Sequence, residues 1–136
     1  MGVKDGIEHI DTNILIRLIT RDEPELVARA EKLIAKKDKL YIFEDAAMME
    51  VVFVITGDQY RYSRAQAAES IKTMMRIDNI CFNKGVIEDA LDLYVAHPKL
   101  SFVDCYLWVI AAISQELPLW TLDRKLANQC PVAKAL

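Results

Sequence analysis

Cysteine and histidine are scarce in this chain, basic charge is not in excess, and no uncharged run is long. Three cysteines (Cys81, Cys105 and Cys130) lie far apart in apolar surroundings, which excludes a disulfide framework and a zinc knuckle and predicts reduced core thiols. With His9 and His97 as the only histidines, a histidine-rich zinc site is excluded, and oxygen ligands remain as the available metal chemistry. Lys and Arg total 17 against 20 Asp and Glu, a net charge of -3, so bulk charge does not mark a protein that coats nucleic acid. The longest uncharged stretch, Cys105 to Gln115, is too short for the ~20 residues of a membrane span. Met1 to Gly6 carries neither an apolar signal segment nor the Ser or Thr that N-myristoylation requires, so a soluble cytoplasmic protein is expected. There is no internal repeat, low-complexity tract or linker.

What is present is apolar content of 53% in 136 residues, enough for the core of one domain spanning residues 1–136. Ile7 to Ile10 reads as a strand ending at Asp11, and Ile14, Leu15, Leu18 and Ile19 mark a helix over 12–20. Pro24 opens a second helix that runs to Lys36-Lys37, and Leu40 to Phe43 forms the second strand. Asp45 is the expected N-cap of a helix through Ile55, broken at Gly57, while Ser63 and Gln66 make a capping box for a helix through Arg76. Ile80 to Phe82 is a short third strand, and Val86 to Tyr94 is helical. Ser101 opens an apolar helix over 102–115, Leu117 to Leu122 forms a strand across Pro118, residues 124–128 a short helix, and Val132 an edge strand. The alternation predicts an α/β sandwich with a mostly parallel sheet, whose ligands bind beyond the carboxyl ends of the strands.

Four acids stand out against this pattern. Asp11 and Asp123 each follow a strand and precede a helix, Glu50 lies among Ala46, Ala47, Phe53 and Val54, and Asp104 is the one charge in its helix. Burying an ionised carboxylate costs several kcal/mol, so acids on buried elements are explained most simply by a shared cation. Each also has a plainer explanation: Asp11 and Asp123 can cap helices, Ser101 and Asp104 match a capping box, and Glu50 can pair with Arg17, Arg124 or Lys125. Arg17, Arg21, Arg124 and Lys125 are close enough in sequence to the acids to serve as phosphate contacts, or simply as solvated charges. Tyr60 and Tyr62 are candidates either for stacking on unpaired bases or for packing on their own loop.

The ordered set Ile10-Asp11-Thr12-Asn13-Ile14-Leu15, Met49-Glu50-Val51-Val52-Phe53, Phe102-Val103-Asp104-Cys105 and Trp120-Thr121-Leu122-Asp123-Arg124-Lys125 resembles the PIN-domain nucleases. It is most similar to the small VapC-type toxins among them, over nearly the whole chain. The resemblance implies a PIN-like α/β/α sandwich, and it makes Asp11, Glu50, Asp104 and Asp123 the catalytic and metal-ligating acids, with Asn13 and Thr121 as supporting polar groups. It further implies a Mg²⁺- or Mn²⁺-dependent endoribonuclease that leaves a 5′-phosphate and a 3′-hydroxyl on its RNA substrate, and a cognate antitoxin that holds the toxin inactive.

Four carboxylates supply hard oxygen ligands suited to Mg²⁺ or Mn²⁺. The high apolar content suggests a homodimer, with part of Met48, Met49, Phe53, Val54 and the Ile71 to Met75 face left for a partner. Rival readings fare worse. A haloacid-dehalogenase-type phosphatase needs a second Asp where Asn13 stands, and a receiver domain leaves Glu50 unexplained. A PIN-like RNA-binding or scaffold module without catalysis is the alternative.

Overall fold

The computed structural model describes residues 6–136, so the Met1–Asp5 start, where no signal or lipid anchor is expected, lies outside the described residues. The chain divides between Asn83 and Lys84 into two compact units.

The first unit holds strand β1 (Ile7–His9), helices α1 (Thr12–Thr20) and α2 (Pro24–Ile34), strand β2 (Leu40–Ile42), helices α3 (Asp45–Ile55) and α4 (Arg64–Met74), and strand β3 (Ile80–Cys81). Its three strands pair in parallel in the order β1-β2-β3, with Ile7 opposite Leu40 and Tyr41 opposite Ile80. Parallel neighbours require crossovers, and the α1-α2 and α3-α4 pairs supply them. Every strand of this sheet therefore sends its carboxyl end to the same edge.

Local chemistry sets the helix limits. Pro24 stands in the first turn of α2, where its missing N–H costs nothing. Ser63 and Gln66 form the expected reciprocal capping box on α4, with Gln66 N–H donating to Ser63 Oγ at 3.1 Å. Asp45 is not the N-cap of α3 as expected: Glu44 occupies that position without a side-chain cap bond, and Asp45 begins the helix. The core gathers Leu15, Tyr41, Met48, Val51, Ile55, Ile71 and Ile80, all fully buried. The Tyr41 hydroxyl keeps a partner in that setting by donating to the Leu33 carbonyl at 2.9 Å. Asn79, also buried, donates to the Ile34 and Lys36 carbonyls and so closes the end of α2.

One polar network fastens the far end of α1. Arg17 Nη1 donates to Asp22 Oδ1 at 2.7 Å and to the Tyr60 hydroxyl at 3.2 Å, and Nη2 lies 3.0 Å from Glu23 Oε2. The Tyr60 hydroxyl in turn donates to Asp22 Oδ2, and Thr20 Oγ1 donates to Oδ1 at 2.8 Å. The Tyr60 hydrogen bond above all holds the Asp22 carboxyl below its ordinary range, and the Asp22 hydrogen bond raises Arg17.

The second unit holds helices α5 (Lys84–Ala96) and α6 (Phe102–Ser114), strand β4 (Leu119–Thr121), helix α7 (Arg124–Gln129) and strand β5 (Ala133–Ala135). β4 and β5 pair in parallel with Leu119 opposite Ala133. The strand expected across Pro118 begins after it, which leaves proline outside the ladder it cannot donate to. Ile87, Leu91, Leu100 and Cys105 are buried here, and the Tyr94 and Phe102 rings meet edge to face at 5.8 Å.

Among the described residues both sheets are parallel and seven helices accompany them, so the fold is of the expected α/β class with mostly parallel strands. Among the described residues no helix is long and apolar enough to cross a membrane. Cys105 and Cys130 are buried, and burial raises the Cys130 thiol; Cys81 is exposed and is not the core thiol expected. Of the apolar residues expected to face a partner, Met48, Ile71 and Met75 are buried in the first unit's own core, whereas Phe53 is 80% exposed.

Leu15→Ala should cost about 2–5 kcal/mol in denaturant unfolding, since it empties a fully buried site, while Phe53→Ala should stay within about 0.5 kcal/mol. The Asp22 carboxyl binds its proton less readily folded than unfolded. Its stabilisation is therefore present above its ordinary value near pH 4 and lost as pH falls through the lowered one. Tyr60→Phe removes the leading cause of that lowering, so thermal melts between about pH 5 and pH 2 should show a shallower acid limb in the variant.

Candidate active site

In the first unit, two residues separate the end of β1 from α1, and Asp11 is the second of them. It is the N-cap of α1, with extended backbone at φ -98° and ψ 178°, and its Oδ1 accepts the Asn13 N–H at 3.1 Å. The opening amides of a helix have no partner inside it, so a carboxylate there satisfies one of them and meets the positive end of the dipole. Asp11 Oδ2 has no hydrogen bond to any described residue. The Asn13 side chain is exposed, and the part it plays on Asp11 is through its backbone.

The next residue, Thr12, donates from Oγ1 to the Ala47 carbonyl at 3.4 Å. That bond sets the start of α1 against the turn of α3 that leads to Glu50. Glu50 is exposed, not buried as its apolar neighbours suggested, and it has no ion pair or hydrogen bond among the described residues. Its expected pairing with Arg17 does not form: Arg17 is spent on Asp22, Glu23 and Tyr60.

The carboxyl edge of this sheet also carries residues that sequence reading passed over. Glu44 follows β2, with Oε1 3.6 Å from His9 Nδ1 at the end of β1, and Asn83 follows β3 and donates from Nδ2 to Asp45 Oδ2 at 3.0 Å. The signal that points to them is their place just past a parallel strand.

In the second unit, Asp123 repeats the arrangement of Asp11. It follows β4, caps α7, and accepts the Lys125 N–H on Oδ1 at 2.8 Å. Thr121 Oγ1 accepts the Asp123 N–H at 2.9 Å and so fixes the junction. Asp104 is half-buried in the first turn of α6 and completes the expected capping box: Ser101 N–H donates to Asp104 Oδ2 at 3.2 Å, and Asp104 N–H to Ser101 Oγ at 3.1 Å. Arg124 and Lys125 are exposed and without an ion pair among the described residues.

Asp11 and Glu50 thus lie in one unit, Asp104 and Asp123 in the other. Among the described residues, no group of three or more His, Cys, Asp or Glu side chains gathers as a metal cluster. The donors themselves have the right chemistry for a hard divalent ion. They are carboxylate oxygens, and in Asp11, Asp104 and Asp123 a backbone amide holds one oxygen while the other makes no bond to a described residue.

A search of curated proteins and a search of solved structures found no significant match. The family model described as PIN domain matches residues 9–130, a span that takes in all four acids and runs through the boundary between the two units. The chain belongs to the PIN domain family, whose members are generally nucleases that use divalent metals.

Proposed function

We propose that this chain is a Mg²⁺- or Mn²⁺-dependent endoribonuclease of VapC type, the toxin of a toxin–antitoxin pair. The observation that carries the reading is the PIN match across all four acids, and the Thr12–Ala47 bond, which joins the Asp11 end of α1 to the α3 segment bearing Glu50, supports it. Residues 1–136 act as a single PIN-like domain in this reading, a view supported by the match running from one unit into the other.

Asp11, Asp104, Asp123 and Glu50 are the residues that would hold the metal. A bound Mg²⁺ or Mn²⁺ supplies Lewis acidity toward a phosphodiester oxygen and lowers the pKa of water for hydrolysis. The protein's own part is orientation. The Asn13, Lys125 and Ser101 amides each fix one carboxylate oxygen, and Thr121 fixes the turn that carries Asp123. Arg124 and Lys125, which make no ion pair among the described residues, offer charge for the RNA backbone. Arg17 holds α1 and the Tyr60 connection in place rather than touching phosphate. A cognate antitoxin, a homodimer in which Phe53 is covered, and a cytoplasmic location complete the proposal.

The cap bonds also favour a second reading, a PIN-like RNA-binding or scaffold module in which these acids only stabilise helices. Asn caps a helix about as well as Asp but carries no charge. Asp11→Asn and Asp123→Asn should therefore change stability by less than about 0.5 kcal/mol while lowering cleavage of a mixed RNA pool by roughly 100-fold or more. Cleavage with Mg²⁺ or Mn²⁺, blocked by EDTA and lost in these variants and in Asp104→Asn, is the expected result. Folded protein that neither binds metal nor cuts RNA under any condition would establish the scaffold reading.

A further inference from the structure

At the end of α1 opposite Asp11, the first unit has a groove of about 860 Å³ between α1, the 57–63 connection and α4. Two arginines and two tyrosines line it: Arg21, Tyr60, Arg61 and Tyr62, with Glu69 and Met74 contributed by α4. We infer that this groove is a second binding site for single-stranded RNA, holding unpaired nucleotides some distance along the strand from the cleaved bond.

The inference takes its RNA ligand from the proposed function; the site itself rests on the residues. Single strands are held by aromatic faces on which bases stack and by cations that follow the backbone, and this groove interleaves the two. The Tyr60 ring and the backbone of the connection are already held. The Tyr60 hydroxyl is held by Asp22 and Arg17, the Tyr62 N–H donates to the Ile55 carbonyl at 2.9 Å, and the Arg61 N–H to the Gly57 carbonyl at 2.8 Å. A ring fixed beforehand loses little freedom when a base stacks on it.

The arginines are held in place as well. Arg21 closes α1 with φ 54° and Arg61 has φ 55°, a left-handed conformation for which glycine is the ordinary choice. Arg21 shares its charge with Glu31 at 3.3 Å, but 60% of its side chain stays exposed, and Arg61 uses only Nε internally, on the Asp58 carbonyl. The lining itself carries Arg21 and Arg61 against one acid, Glu69.

Position gives the groove its role. The nine residues of α1 rise about 14 Å between the Asp11 cap and Arg21. A strand that extends this distance from Asp11 reaches the groove. The site therefore adds affinity for extended unpaired RNA and selects substrates by the single-stranded length flanking the cut.

The test is fluorescence anisotropy of labelled oligoadenylates, 3 and 12 nucleotides long, in EDTA so that binding is read without cleavage. The 12-mer should bind more tightly than the 3-mer. Tyr62→Ala and Arg61→Gln should each weaken the 12-mer by roughly fivefold to tenfold, Tyr62→Phe should bind as the parent does, and Arg61→Gln should reduce the slope of log K against log salt by about 0.7. Arg61 is exposed, so its variant reads the site even where Tyr62→Ala disturbs the loop. Equal binding of the 12-mer by all variants overturns the inference, as does a groove that binds polyglutamate, but not RNA, in a Tyr62- and Arg61-dependent way. The nuclease reading is tested apart from this. RNA cleavage with groove-insensitive binding removes the groove alone, and groove-dependent binding by a protein that cuts nothing leaves the groove standing without the nuclease.

Discussion

The first amides of α1 and of α7 have no acceptor within their own helices, and in each case the chain supplies one from an aspartate placed two residues after a parallel strand. Much of the proposed site's geometry depends on that junction. A parallel strand ends at the edge where ligands of α/β proteins bind, and the helix that follows starts there with its positive dipole end. A carboxylate at the junction is held by a backbone amide on one oxygen, as Asp11 is by Asn13 and Asp123 by Lys125, and presents the other outward. Structural need and chemical availability thus fall on the same side chain. Asp104 reaches a similar state by another route, through a capping box in the first turn of α6.

Helix α1 carries the second constraint. Its buried face, Leu15, Ile16 and Leu18, fixes it in the first unit's core, so its two ends become fixed points. At one end Thr12 ties Asp11's turn to α3, and at the other Arg17 and Thr20 gather Asp22 and, through it, Tyr60. Arg17 and Tyr60 are 43 residues apart, so the network closes a long stretch of chain with polar bonds that are only partly shielded from water. Such bonds contribute modestly to global stability, but they determine where the 57–63 connection lies on α1.

Much of this was legible beforehand. The order of strands and helices, the capping boxes at Ser63 and Ser101, and the caps at Asp11 and Asp123 follow from local rules of hydrogen-bond satisfaction, which act over three or four residues and leave a readable signature. Errors of one or two residues, such as Glu44 in place of Asp45 at the start of α3, fall where a helix terminus can be satisfied at either of two adjacent positions. The Arg17 network was not legible, since nothing local links Arg17 to Tyr60. The exposure of Glu50 was misread for a different reason. Helix α3 is apolar nearly all round, with Ala46 and Phe53 exposed as well, so apolar neighbours in sequence did not mark a buried face.

That correction changes what the acids mean. Inference from burial held that ionised carboxylates inside the protein need a cation to offset their desolvation, but Asp11, Glu50 and Asp123 are exposed and Asp104 is half-buried, so no such cost demands a metal. Three of the four have a sufficient reason to exist as caps. Glu50 does not: it caps nothing, pairs with nothing among the described residues, and stands on a helix face that is otherwise apolar. A solvated glutamate on such a face contributes little to stability, and it lies on α3 where Thr12 joins that helix to Asp11's turn. Of the four acids, Glu50 is therefore the one for which no capping role accounts.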